Sequence, residues 1–162
     1  MAVGGAIPPE LGIVTAYALA RLGAVQMPMS MAEPPARRIA LASRHNLRFQ
    51  VCPADVPFVE SVSQVEPSTK WFDRSVSVPQ RRQPHPGGNT PWLLNHSSGT
   101  TAQPKAMLIT HLMEIARASE QGHPDLTCRP GERFMSLIGL DFWVARSRAM
   151  RALAEGAAVV LM

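Results

Sequence analysis

The chain of 162 residues carries 46% apolar and 17% charged residues with a net charge of +4, which predicts one soluble globular domain with its own core. No stretch approaches the roughly 18 apolar residues of a membrane span, and the start lacks a basic signal-peptide region. Two cysteines, Cys52 and Cys128, match no disulfide or metal-ligand spacing, so we expect buried free thiols in a cytoplasmic protein. The arginines indicate solvated helix faces rather than a nucleic-acid surface: Arg37, Arg38, Arg44, Arg146, Arg148 and Arg151.

Short apolar strands and amphipathic helices alternate along the chain. In the first half of the chain we expect a helix at 9–22, a buried strand at 24–29, a helix at 35–45, and strands at 47–52 and 71–78. A loop at 79–90 follows, and strands at 92–95 and 107–109 flank the middle of the chain. The last third is predicted to hold a helix from Thr110 to about Gln121, a strand at 133–138, a helix from Asp141 to Glu155 and a strand at 157–162. This alternation predicts an α/β fold with a mostly parallel sheet and flanking helices.

One polar segment, residues 97–105, reads Ser-Ser-Gly-Thr-Thr-Ala-Gln-Pro-Lys between two apolar runs. Four hydroxyls, the backbone N–H groups near Gly99 and the charge of Lys105 together suit a polyphosphate. The alternative is an ordinary solvated turn. A Walker A loop is not supported, because Pro104 has no N–H and Ala106 replaces the magnesium-binding Ser or Thr.

The segment resembles the phosphate-binding signature of the adenylate-forming ligases, the AMP-binding superfamily of acyl-CoA synthetases, luciferases and peptide-synthetase adenylation domains. That signature is [ST]-S-G-[ST]-T-G-x-P-K-G followed by Thr-His; here Ala102 and Ala106 replace two glycines, and Thr110-His111 follows. Residues 8–28 and 131–162 also resemble the family. The resemblance implies that residues 1–162 form a partial N-terminal AMP-binding domain, with an internal loop at 79–90 and without the C-terminal domain.

The resemblance also implies a chemistry. Such ligases use ATP and Mg²⁺ to turn a carboxylic acid into an acyl-adenylate, which a thiol, often coenzyme A, then accepts. The phosphates would contact Ser97, Ser98, Gly99, Thr100, Thr101 and Lys105. Substrate contacts are assigned to His111, Phe142 and Trp143, for each of which packing is the alternative.

No catalytic residue is assigned within the chain. The family's acidic magnesium residue, ribose aspartate and second lysine are expected downstream of residue 162. We therefore expect little turnover from this chain alone, and self-association through its apolar edges. The alternative function is a non-catalytic module, either nucleotide-responsive or binding a protein partner. His96 is not favoured as catalytic, and His45, His85 and His123 are predicted to be surface residues.

Overall fold

The computed structural model describes residues 7, 9–30, 32–53, 59, 62–72, 86–96, 105–119 and 128–161. Four helices lie in these ranges: α1 Pro9–Arg21, α2 Pro35–Arg44, α3 His111–Ser119 and α4 Trp143–Ala154. Six strands accompany them: β1 Phe49–Val51, β2 Ser63–Val65, β3 Pro91–His96, β4 Ala106–Thr110, β5 Arg133–Met135 and β6 Ala158–Val160. The alternation of helices and strands confirms the α/β prediction.

Within the described residues the strands pair two by two. The β1–β2 and β5–β6 pairs are parallel, whereas β3 and β4 form an antiparallel ladder. Gln26, in the run after α1, adds a parallel bridge to Leu93 of β3. Its N–H donates to the Trp92 carbonyl at 2.9 Å, and its carbonyl accepts from the Leu94 N–H at 2.7 Å. The predicted strand at 24–29 is therefore reduced to isolated bridge positions at Gln26, beside β3, and at Met29.

Helices α1, α2 and α4 end where the sequence predicts, whereas the predicted end of α3 at about Gln121 lies outside the described residues. Gly23 follows α1 with φ of 69°, and Gly156 follows α4 with φ of 80°. Asn46 follows α2 with φ of 49°, a left-handed conformation that asparagine tolerates better than most side chains. At the start of α3, Thr110 Oγ1 accepts the Met113 N–H at 3.2 Å, which confirms Thr110 as the cap.

The core near the candidate site is built on the β3–β4 ladder. Leu93 and Ile109 have no exposed surface, and Trp92 is also buried. Trp143 and Met150 of α4 pack against this cluster. A second cluster lies under α2 and β1 and consists of Met27, Met29, Leu41, Ala42, Cys52, Val59 and Val62. The strand pair that contributes Trp92, Leu93 and Ile109 to the core therefore carries the segment from 97 to 105 between its two strands.

Four sequence expectations are corrected by the structure. Asp141 does not cap α4, because the N-cap is Phe142, which makes no side-chain capping bond. Trp71 begins no strand, since it lies in a 3₁₀ turn at Thr69–Phe72. Arg38 and Arg146 are buried rather than solvated. Both thiols are free as predicted, but only Cys52 is buried, and Cys128 is partly exposed.

Candidate functional site

The β3–β4 ladder brackets the predicted phosphate-binding segment. The last two rungs pair Asn95 with Met107 and His96 with Ala106, so residues 97–105 join the ends of adjacent strands. Lys105 immediately precedes β4 and is exposed. The fixed strand ends hold both ends of the segment next to each other.

Most of the predicted phosphate contacts lie outside the described residues. These are Ser97, Ser98, Gly99, Thr100 and Thr101. Their hydroxyl and backbone donors therefore stay a prediction from the sequence.

His111 begins α3, directly beyond β4. Its backbone N–H donates to the Thr90 carbonyl at 3.1 Å, which fixes the first turn of the helix. Its ring Nε2 is buried without a hydrogen-bond partner, and burial lowers the pKa of the ring below its ordinary value. A buried polar atom without a partner has hydrogen-bonding capacity that a ligand group can use. The substrate contact assigned to His111 stays a prediction, and the buried, unpartnered Nε2 is the atom that it would use.

The two aromatic candidates, Phe142 and Trp143, have different surroundings. The Trp143 indole N–H donates to Glu114 Oε2 at 3.0 Å, and the Arg117 guanidinium lies 4.1 Å from the ring centroid. Trp143 thereby fastens α4 to α3, since Glu114 and Arg117 both belong to α3. Phe142 is 57% exposed at the start of α4. Of the pair, Phe142 is the ring with most surface available to a substrate.

A buried polar network beside these aromatics was missed by the sequence analysis. Arg146 is only 7% exposed; its Nη1 donates to Gln26 Oε1 at 3.1 Å and its Nε to the Leu140 carbonyl at 3.0 Å. Gln26 is fully buried and donates in turn to the Ala16 carbonyl at 2.7 Å. Burial lowers the pKa of Arg146 to about 10, against the opposing effect of Asp141, so the guanidinium stays charged at neutral pH. The network joins α1, the bridge beside β3 and the segment preceding Phe142.

A second missed contact joins two histidines. His45 Nε2 and His96 Nε2 are 3.0 Å apart. The signal in the sequence was the position of His96 at the end of a strand, directly before the polar segment. Its partner lies 51 residues earlier and has no local signal.

Comparison with known proteins identifies the family to which this chain belongs. A family model described as AMP-binding enzyme matches residues 11–162. The chain belongs to the AMP-binding enzyme family. Fumosorinone synthetase of Cordyceps fumosorosea is 33% identical over 117 residues, a match that covers 64% of this chain and 3% of that protein.

Several solved structures share the fold of this chain. VinN has a TM-score of 0.81 at 16% identity, over 99% of this chain and 42% of that one. The N-terminal subdomain of Klebsiella oxytoca NpsA, solved with 3-hydroxybenzoyl-AMSN, has a TM-score of 0.75 at 24% identity, over 98% and 40%. A malonyl-CoA ligase, solved with methylmalonyl-CoA and AMP, has a TM-score of 0.76 at 16% identity, over 98% and 34%. The chain thus spans less than half of each of these proteins.

No helix in the described ranges is long and apolar enough to cross a membrane. No cluster of three or more His, Cys, Asp or Glu side chains in the same ranges could hold a metal ion.

Proposed function

We propose that the chain supplies the triphosphate-binding part of an AMP-forming carboxylate ligase. In that reaction a carboxylate oxygen attacks the α-phosphorus of ATP, the bond to the bridging oxygen breaks, and pyrophosphate leaves from the acyl-adenylate. Membership of the AMP-binding family supports this assignment, and the observation that carries it is the β3–β4 ladder presenting residues 97–105 with Lys105 exposed at its end.

The proposed role of the segment is electrostatic. Negative charge accumulates on pyrophosphate as it leaves, and donors already in place for that charge lower the barrier. Lys105 would supply the positive charge, and the hydroxyls of residues 97–101 would supply hydrogen bonds. The ligases of this family use Mg²⁺, but the described residues contain no cluster suited to it.

The acid is proposed to be an acyl or aryl carboxylate that reaches His111 and Phe142. His111 contributes the unpartnered Nε2, and its lowered pKa keeps the ring neutral near pH 7. Phe142 contributes an exposed ring. Coenzyme A as the final acceptor is proposed from the ligase relative that was solved with a coenzyme A thioester.

Calorimetric titration of pyrophosphate into the chain tests the assignment. We expect Lys105→Ala to weaken binding about 10-fold, the lower end of what a charge-assisted hydrogen bond supplies, because an exposed amine is well hydrated. The control Gln103→Ala changes a variable position of the signature in the same segment and should leave the affinity unchanged. Equal affinities for wild type and Lys105→Ala would remove the phosphate site and leave the non-catalytic module as the better account.

A further inference from the structure

The histidine pair connects two elements that are distant in sequence. His45 is the C-cap of α2, and His96 is the last residue of β3. Their ring centroids are 5.0 Å apart, with planes tilted by 58°, and both rings are partly buried. The two Nε2 atoms are 3.0 Å apart, which is a hydrogen-bond distance. One of them must therefore donate a hydrogen and the other must accept it, because a neutral imidazole nitrogen does either one or the other.

The charged groups around the pair oppose further protonation. Burial and then Arg44 lower the pKa of His45. Burial, His45, Arg44 and Arg37 lower the pKa of His96, in that order. On the β4 side, Lys105 precedes Ala106, the residue that pairs with His96 in the ladder.

A metal ion between the rings is disfavoured by the same surroundings. Protein zinc sites use three or four side-chain ligands, whereas within the described ranges the pair has no third His, Cys, Asp or Glu to complete such a group. The neighbouring arginines also repel a cation. The group held between the two nitrogens is therefore a proton.

We propose that His45 and His96 are a positioning pair, in which the hydrogen shared by the two Nε2 atoms holds the end of β3 against α2 and protonation of both rings breaks the contact. When both rings carry a positive charge, both Nε2 atoms are donors, no acceptor remains between them, and two positive rings face each other. Because His96 directly precedes residue 97, the pair sets where the phosphate-binding segment leaves the sheet. The effect of the histidine pair on ligand binding rests on the function proposed above, whereas the contact between the two rings does not depend on that function.

The ring nitrogens and backbone amides of the whole chain report the contact directly by ¹⁵N NMR. In wild type, both rings should titrate below the ordinary histidine value, and the amides of Asn95 and His96 should shift as the second ring becomes charged. In His45→Gln, which keeps a donor and acceptor but cannot charge, the pKa of His96 should move towards the ordinary value, and these amides should shift in a single step with His96 alone. His123→Gln is the matched control and should leave them unchanged. Independent titration of both rings at ordinary pKa values, or a stoichiometric response of both rings to zinc, would overturn the proposal.

Pyrophosphate affinity tests the functional consequence. Protonation of pyrophosphate affects its binding to wild type and to the variant equally. This effect therefore cancels in the ratio of the two dissociation constants. For His45→Ala we expect binding weakened about 3- to 10-fold near pH 8, from loss of one hydrogen bond, and a smaller difference at the pH at which the NMR titration shows both rings protonated. A ratio that is the same at both pH values would overturn the positioning role. Failure of wild type to bind at any pH would refute the phosphate site, and the NMR titration would then decide the histidine contact separately.

Discussion

Replacing Gln26 by leucine should be among the most damaging single changes in the chain. The side chain accepts from Arg146 Nη1 and donates to the Ala16 carbonyl, at a position without exposed surface. Gln26→Leu removes the acceptor of the buried Arg146 Nη1, whose guanidinium keeps only the bond from Nε to the Leu140 carbonyl, and removes the side-chain donor to the Ala16 carbonyl. An unsatisfied buried group costs about 1–3 kcal/mol, and more when it is charged, so we expect a loss of about 3–5 kcal/mol of unfolding free energy. That is a large share of the 5–15 kcal/mol typical of a domain.

Urea unfolding followed by circular dichroism measures this loss. Gln64→Leu, the same exchange at an exposed position, is the matched control and should cost about 1 kcal/mol or less. The double variant Gln26→Leu/Arg146→Met should recover part of the loss, because it removes the stranded charge together with its partner. A cost below about 1 kcal/mol for Gln26→Leu, or a double variant as unstable as the sum of both single ones, would refute the reasoning.

Three further outcomes can be measured with the same unfolding experiment. Thr110→Val should cost about 1 kcal/mol, because the Met113 N–H loses its cap, whereas Thr110→Ser should stay close to wild type; equal losses would contradict the cap. Gly156→Ala should cost about 1 kcal/mol, because alanine is strained at φ of 80°, and an unchanged midpoint would argue against that conformation. Folding lowers the pKa values of His45, His96 and His111. Stability should therefore be greatest above about pH 6.5 and fall as the pH drops from there towards the pKa values of the folded state. A stability curve that is flat from about pH 7 to 5 would contradict those shifts.

The sequence was most informative where the signal was local. Gly23, Asn46 and Gly156 each follow a helix with positive φ, and each was predicted as a helix end. The Thr110 cap lies three residues from the N–H that it accepts. Such features depend on a single turn of backbone, which the residues themselves specify.

Features that depend on distant partners were not predictable in this way. Arg146 on α4 looks like one of several solvated arginines, and only the fold brings it to Gln26, 120 residues away. The strand β2 escaped detection because Ser63–Val65 is exposed along its whole length and shows no alternation. The alternation of apolar strands and amphipathic helices had predicted the α/β fold, but the histidine contact became visible only with α2 and β3 in place.

The rung between His96 and Ala106 also bears on how this chain tolerates changes in length. Paired residues in an antiparallel ladder have Cα atoms about 4.5–5.5 Å apart, so the strands have already brought the ends of the intervening loop together. Lengthening that loop adds only slowly growing closure entropy and leaves the strand register intact. One residue inserted in the regularly paired part of β3, between Leu93 and His96, would instead shift the register of these rungs against β4. The hairpin is therefore a natural acceptor for grafted loops of differing length, whereas an insertion in its regularly paired rungs changes which side chains face the core.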